Sequence, residues 1–105
     1  MTQDINKLGF KSIAGDYDLF FIDIWGVIHN GINLHKDAVE VLKSLFEMEK
    51  EFILLTNAPR PNRNVNDFLL RMGLNEKYTS KVYTSGQAAL NYLIRNYKDK
   101  LFYHI

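Results

Sequence analysis

The chain has 105 residues, 47% hydrophobic and 24% charged, the balance of one globular domain with a modest core. Thirteen basic residues against twelve acidic ones leave a net charge of +1, so there is no electrostatic footprint for a nucleic-acid partner. Cysteine is absent, which excludes disulfides and thiolate metal sites and fits a reducing compartment. The opening Met1-Thr2-Gln3-Asp4 has no basic stretch followed by an apolar one. No apolar run approaches membrane-spanning length, so the expectation is a cytoplasmic protein with no membrane partner.

Residues 1–16 form a lead-in, where Ile5, Leu8 and Ile13 suit a short amphipathic helix that Gly9 weakens. Leu19 to Ile24 is apolar apart from Asp23, the pattern of a strand covered on both faces. Gly26, Asn30 and Gly31 make the next stretch a loop. Between Asp37 and Met48, Ala38, Val41, Leu42, Leu45 and Met48 recur at helical spacing, while Glu40, Lys43 and Glu47 face water.

Phe52 to Leu55 is a second buried-type strand ending in Thr56-Asn57, and Pro59 and Pro61 punctuate the loop that follows. Val65, Phe68, Leu69 and Met72 define a helix that Gly73 terminates in the left-handed conformation. Val82-Tyr83 centres a short third strand. Thr84 with Gln87 then forms a capping box opening a helix with Ala88, Leu90, Leu93, Ile94 and Tyr97 on its apolar side. Leu101 to Ile105 reads as a fourth strand.

The order from 17 to 105 is therefore β-α-β-α-β-α-β, an α/β fold with a parallel sheet of about four strands joined by right-handed crossovers. If each strand adds beside the last, every crossover helix covers the same face, and only the lead-in is left for the other. Strands apolar on both sides do not suit a half-covered sheet, so residues 1–105 are expected to be an incomplete domain.

Asp23 stands at the end of an apolar strand, where a carboxylate is costly unless something cationic or hydrogen-bonding meets it. Ligands bind outside the carboxyl ends of parallel strands, which gives such a residue a chemical use. A surface aspartate opening a turn remains the alternative on this segment alone. One strand-helix-strand unit later, Thr56-Asn57 falls at the same edge of the neighbouring strand. A carboxylate there could attack a phosphoryl group, with a hydroxyl and backbone N–H groups holding its oxygens. Arg60 and Arg63 are second-rank phosphate candidates, and His29 and His35 are loop residues without metal-ligand spacing.

Leu19 to Val27, Leu54-Leu55-Thr56-Asn57 and Tyr83 to Leu90, in that order on successive strands, resemble the amino-terminal half of a haloacid dehalogenase (HAD) superfamily protein. The similar branch is class IIA, the nitrophenylphosphatase-like hydrolases. The resemblance implies a partial Rossmann-like core lacking the cap and the carboxyl-terminal half of the sheet. It implies a Mg²⁺-dependent phosphohydrolase acting on a small phosphorylated metabolite through an aspartyl-phosphate. Asp23 is then the nucleophile, Thr56 and Asn57 bind phosphate, and Mg²⁺ is held by Asp23 and the backbone carbonyl of Trp25.

Two departures from the family pattern bear on turnover. Most of its phosphatases carry a second aspartate two residues after the nucleophile, as general acid and base. Trp25 stands there, and indole cannot perform that proton transfer. Its side chain is expected to pack over the active-site loop. The family's phosphate-stabilising lysine and acidic metal ligands belong to later motifs that residues 1–105 do not include, so weak Mg²⁺ binding and little activity by this chain alone are expected. The sheet edge at Leu19 to Asp23 is expected to be exposed, inviting self-association or a complementing chain. The competing reading is a non-catalytic phosphate-binding or partner-docking domain derived from the same fold. A receiver-like signalling domain is a third, disfavoured because Asp16 and Asp18 precede the strand instead of ending it.

Overall fold

The structure, a computed structural model, describes residues 4–105. The first three residues of the lead-in lie outside that range. Three strands, β1 (Leu19–Asp23), β2 (Glu51–Thr56) and β3 (Val82–Thr84), form one parallel sheet in the order β1-β2-β3. The register pairs Leu19 with Glu51 and Asp23 with Leu55, then Leu54 with Val82 and Thr56 with Thr84.

The lead-in is broken at Gly9 (φ +77°) into two single-turn helices, α1 (Ile5–Leu8) and α2 (Lys11–Ala14). It does not lie over the second face of the sheet. Phe10 packs edge-on to Phe20 at 5.5 Å on the side where α3 (Lys36–Glu47) sits. The reason is tertiary packing: Phe10 and the buried Ala14 find apolar surface beside α3, where Val41 and Leu45 border the same groove.

The helix α3 and the next one, α4 (Asn62–Arg71), occupy the segments expected from their apolar spacing. Gly73 follows α4 at φ +100°, a conformation any side chain would strain. A short helix the sequence reading lacked, α5 (Glu76–Thr79), opens where Asn75 Oδ1 accepts the Lys77 N–H at 3.0 Å. Its Tyr78 and Thr79 are buried. These helices cover one face of the sheet, closing a core around Leu42, Leu45, Phe52, Leu54, Leu69 and Val82.

The other face carries Leu19, Phe21, Leu55 and Tyr83, and all four are exposed. Alternation along each strand produces this split: β1 is half-buried at Phe20 and Ile22, and β2 is buried at Phe52 and Leu54.

The last helix, α6 (Ser85–Tyr97), has no buried residue. Beyond it the expected fourth strand does not form. Leu101 to Ile105 is irregular, and all five residues are exposed. An apolar run becomes a strand only where a neighbour completes its hydrogen-bond ladder, and among the described residues no backbone hydrogen bond joins this segment to the sheet. The sheet therefore has three strands, with β1 at one edge and β2 in the middle.

Candidate active site

Asp23 is the last residue of β1 and Thr56 the last of β2. Because Asp23 is registered against Leu55, Thr56 lies one step further along the neighbouring strand. Strands in a sheet run about 4.8 Å apart. Both residues border one open cleft of about 630 Å³ at the carboxyl edge, together with Asn57, Thr84, Ser85 and Ala88. The cleft continues onto the uncovered face at Phe21, Leu55 and Tyr83. The two sequence-predicted groups thus meet at one rim.

Local hydrogen bonds fix each group. Asp23 Oδ1 accepts the N–H of Ile24 at 2.8 Å, which turns the chain out of the strand. Gly26, at φ +82°, donates to the His29 carbonyl at 2.7 Å, and the Ile28 N–H returns to the Ile24 carbonyl at 2.8 Å. On the other strand, Thr56 Oγ1 accepts the Ala58 N–H at 3.3 Å. Ser85 Oγ donates to the Thr56 carbonyl at 3.4 Å, tying the start of α6 to the same corner.

Trp25 packs over the loop after β1, as expected. Its ring meets His29 edge-on at 5.1 Å, and a Cβ on Gly31 (φ +94°) would come within 2.7 Å of the indole. The indole is still two-thirds exposed and does not border the cleft. His29 is buried rather than a plain loop residue: its Nδ1 accepts the Gly31 N–H at 2.8 Å and its ring packs against Phe68. Burial first, and His35 second, hold its pKa below the ordinary 6.5.

Arg60 and Arg63 are exposed, and neither borders the cleft. Arg60 contributes its backbone instead, its carbonyl accepting the Thr84 hydroxyl. Thr84 also caps α6, accepting the Gln87 N–H at 2.9 Å. The reciprocal half of the capping box is replaced: Asn62 Oδ1 accepts the Thr84 N–H at 2.9 Å, while Gln87 Oε1 accepts the Asn62 N–H at 3.2 Å. Gly86 makes this close approach feasible, since a Cβ there would fall 2.5 Å from the backbone of Pro59 and Arg60. The rim is thus built by three segments locked together.

Among the described residues no cluster of three or more His, Cys, Asp or Glu side chains could hold a metal. Of the cleft-lining residues only Asp23 carries a carboxylate, and it is exposed; two residues on, the Trp25 carbonyl accepts no backbone hydrogen bond among the described residues. Hard oxygens of this kind suit Mg²⁺, which keeps several of its own waters and takes one or two protein carboxylates with substrate phosphate.

Residues 20–105 match the sequence model of the haloacid dehalogenase-like hydrolases, and the chain belongs to that family. Among solved structures it is similar to a haloacid dehalogenase-like hydrolase from Brucella suis, with 30% identity and a TM-score of 0.75. The match covers 83% of this chain and 32% of that one. A 4-nitrophenylphosphatase from Thermotoga maritima, 23% identical with a TM-score of 0.69 over 81% of this chain and 33% of that one, shares the fold. A glycerol phosphate phosphatase from Mycobacterium tuberculosis, solved in complex with calcium, is 27% identical with a TM-score of 0.60, covering 79% and 24% of the two chains. No curated protein matches the chain. The chain spans about a third of the length of the first two solved structures.

Proposed function

We propose that this chain carries the phosphoryl-accepting half of a class IIA HAD phosphohydrolase for small phosphate esters. The supporting observation is the single cleft bordered by Asp23 and Thr56 at the carboxyl ends of adjacent parallel strands. The phosphatase names of the similar Thermotoga and Mycobacterium structures favour the same substrate class. A reducing, cytoplasmic setting accords with the absence of cysteine.

In this reading an Asp23 carboxylate oxygen attacks phosphorus, and the bond from phosphorus to the leaving-group oxygen breaks. Water then attacks the aspartyl-phosphate, releasing phosphate and restoring the carboxylate. The Thr56 hydroxyl donates to a phosphoryl oxygen, and the Asn57 N–H assists. Asp23 and the Trp25 carbonyl would hold Mg²⁺, which would supply charge neutralisation there. Trp25 cannot protonate the leaving group, and a missing general acid–base group typically costs about 10²–10⁴-fold in rate. Turnover by the 105-residue chain is accordingly slow.

The test is phosphate release from 4-nitrophenyl phosphate with Mg²⁺, comparing the native chain with Asp23→Asn. Slow release that disappears in the variant supports the assignment. Equal rates in the two proteins remove Asp23 as nucleophile.

A further inference from the structure

The proposed reaction uses Asp23, Thr56 and Asn57 and gives no task to the start of α6, although Ser85 borders the same cleft. Three consecutive residues at that corner hold alternate carbonyls of the segment after β2. Ser85 Oγ donates to the Thr56 carbonyl at 3.4 Å, the Gly86 N–H to the Ala58 carbonyl at 3.0 Å, and the Thr84 hydroxyl to the Arg60 carbonyl. Residues 56–60 are thereby fastened along one side.

The strand pairing then fixes which way the other side faces. The Glu51 N–H donates toward β1, to the Asp18 carbonyl at 3.2 Å, and the Leu54 N–H toward β3, to the Lys81 carbonyl at 2.9 Å. Successive residues of a strand alternate between its two neighbours, so the Thr56 carbonyl, like the backbone groups of Leu54, faces β3. A trans peptide sets its N–H opposite its C=O. The Asn57 N–H therefore points the other way, toward the end of β1 where Asp23 stands. It donates to no group among the described residues. Beside it, Thr56 Oγ1 accepts the Ala58 N–H at 3.3 Å, which leaves the hydroxyl proton to donate elsewhere.

We propose that Ser85 is a positioning residue of the phosphate site: it holds the Thr56 carbonyl so that the Asn57 N–H stays aimed across the cleft at a phosphoryl group on Asp23. The inference rests on the reading of Asp23 as the phosphoryl acceptor. An anion meeting that N–H polarises the peptide and strengthens the bond its carbonyl accepts, so the 3.4 Å contact tightens when the site fills. Ser85 touches no reacting atom in this arrangement. Its effect passes through one peptide group.

Titration of the full 105-residue chain with beryllium fluoride and Mg²⁺ tests the proposal, with ¹⁹F NMR following the adduct and ¹H–¹⁵N NMR the Asn57 amide. Ser85 is exposed, so Ser85→Ala and Ser85→Thr keep the fold. In the native chain the Asn57 amide proton is expected to move downfield as the adduct forms. In Ser85→Ala the adduct still forms on Asp23, but its dissociation constant rises about two- to tenfold, the loss of one neutral hydrogen bond, and the downfield shift shrinks. Ser85→Thr keeps the hydroxyl and restores both. A Ser85→Ala chain that matches the native one in affinity and amide shift, or a threonine variant no better than the alanine one, would overturn the proposal and leave Asp23 and Thr56 in place. A native chain that forms no adduct removes the Asp23 reading, and the proposal with it.

Discussion

Leu54 and Leu55 are consecutive on β2 and have opposite surroundings: Leu54 is fully buried under the helices, while Leu55 is 44% exposed on the open face. The contrast extends across the sheet, with Phe20, Ile22, Phe52 and Val82 turned to the core and Leu19, Phe21 and Tyr83 away from it. Composition does not distinguish the two faces, since both are apolar. What distinguishes them is the direction of the crossovers, which place α3, α4 and α5 on one side. The stability of residues 4–105 therefore rests on one face. The other is apolar and exposed.

The largest effect that can break this comparison is a matched pair of truncations on β2. Leu54→Ala is expected to lower the unfolding free energy by about 2–5 kcal/mol, the range for emptying a buried leucine site. Leu55→Ala should stay within about 0.5 kcal/mol, as exposed substitutions do. Urea unfolding of the two variants reads both values, and equal losses would mean that the faces are energetically alike.

Next comes Gly86→Ala, which forces a methyl group to 2.5 Å from the Pro59–Arg60 backbone. Overpacking of this kind costs about 1–3 kcal/mol, and thermal unfolding should register it. Thr84→Ala removes the α6 cap and the bond to the Arg60 carbonyl. Losing such a cap costs about 0.5–2 kcal/mol in the same assay.

The smallest effect concerns pH. His29 has a depressed folded pKa, so the unfolded chain takes up its proton first as pH falls. The stability this residue contributes is present above the unfolded value near 6.5 and declines as pH drops through the lower folded value. Urea midpoints measured from pH 8 to pH 5 should fall on the acid side, and His29→Gln should flatten part of that fall.

The sequence exposed these features unevenly, and the reasons are physical. The apolar runs ending at Asp23 and Thr56 mark β1 and β2 because buried parallel strands need continuous hydrophobic residues, and the same runs point to the rim. The helices α3 and α4 are long enough for their period to show. The four residues of α5 are too few to display one; only the capping Asn75 announces it. Leu101 to Ile105 misleads because β-like composition is silent about whether a partner strand stands alongside. The position of the lead-in beside α3 depends on where Phe10 meets Phe20, a tertiary contact with no local signal. At the site, the Thr84–Gln87 spacing revealed the cap. The Asn62 partner that completes it lies more than twenty residues away in the chain and is brought in by the Gly86 approach. Ser85 is the cleft residue passed over, although it follows the strand-ending Thr84 directly.

The central claim is that Asp23 accepts a phosphoryl group at a rim it shares with Thr56. Beryllium fluoride with Mg²⁺ mimics an aspartyl-phosphate without requiring turnover, and ¹⁹F NMR reports its adduct directly. The account predicts a bound resonance in the native chain that is weakened by Thr56→Val and absent in Asp23→Asn. The same bound resonance at full intensity in Asp23→Asn would contradict it.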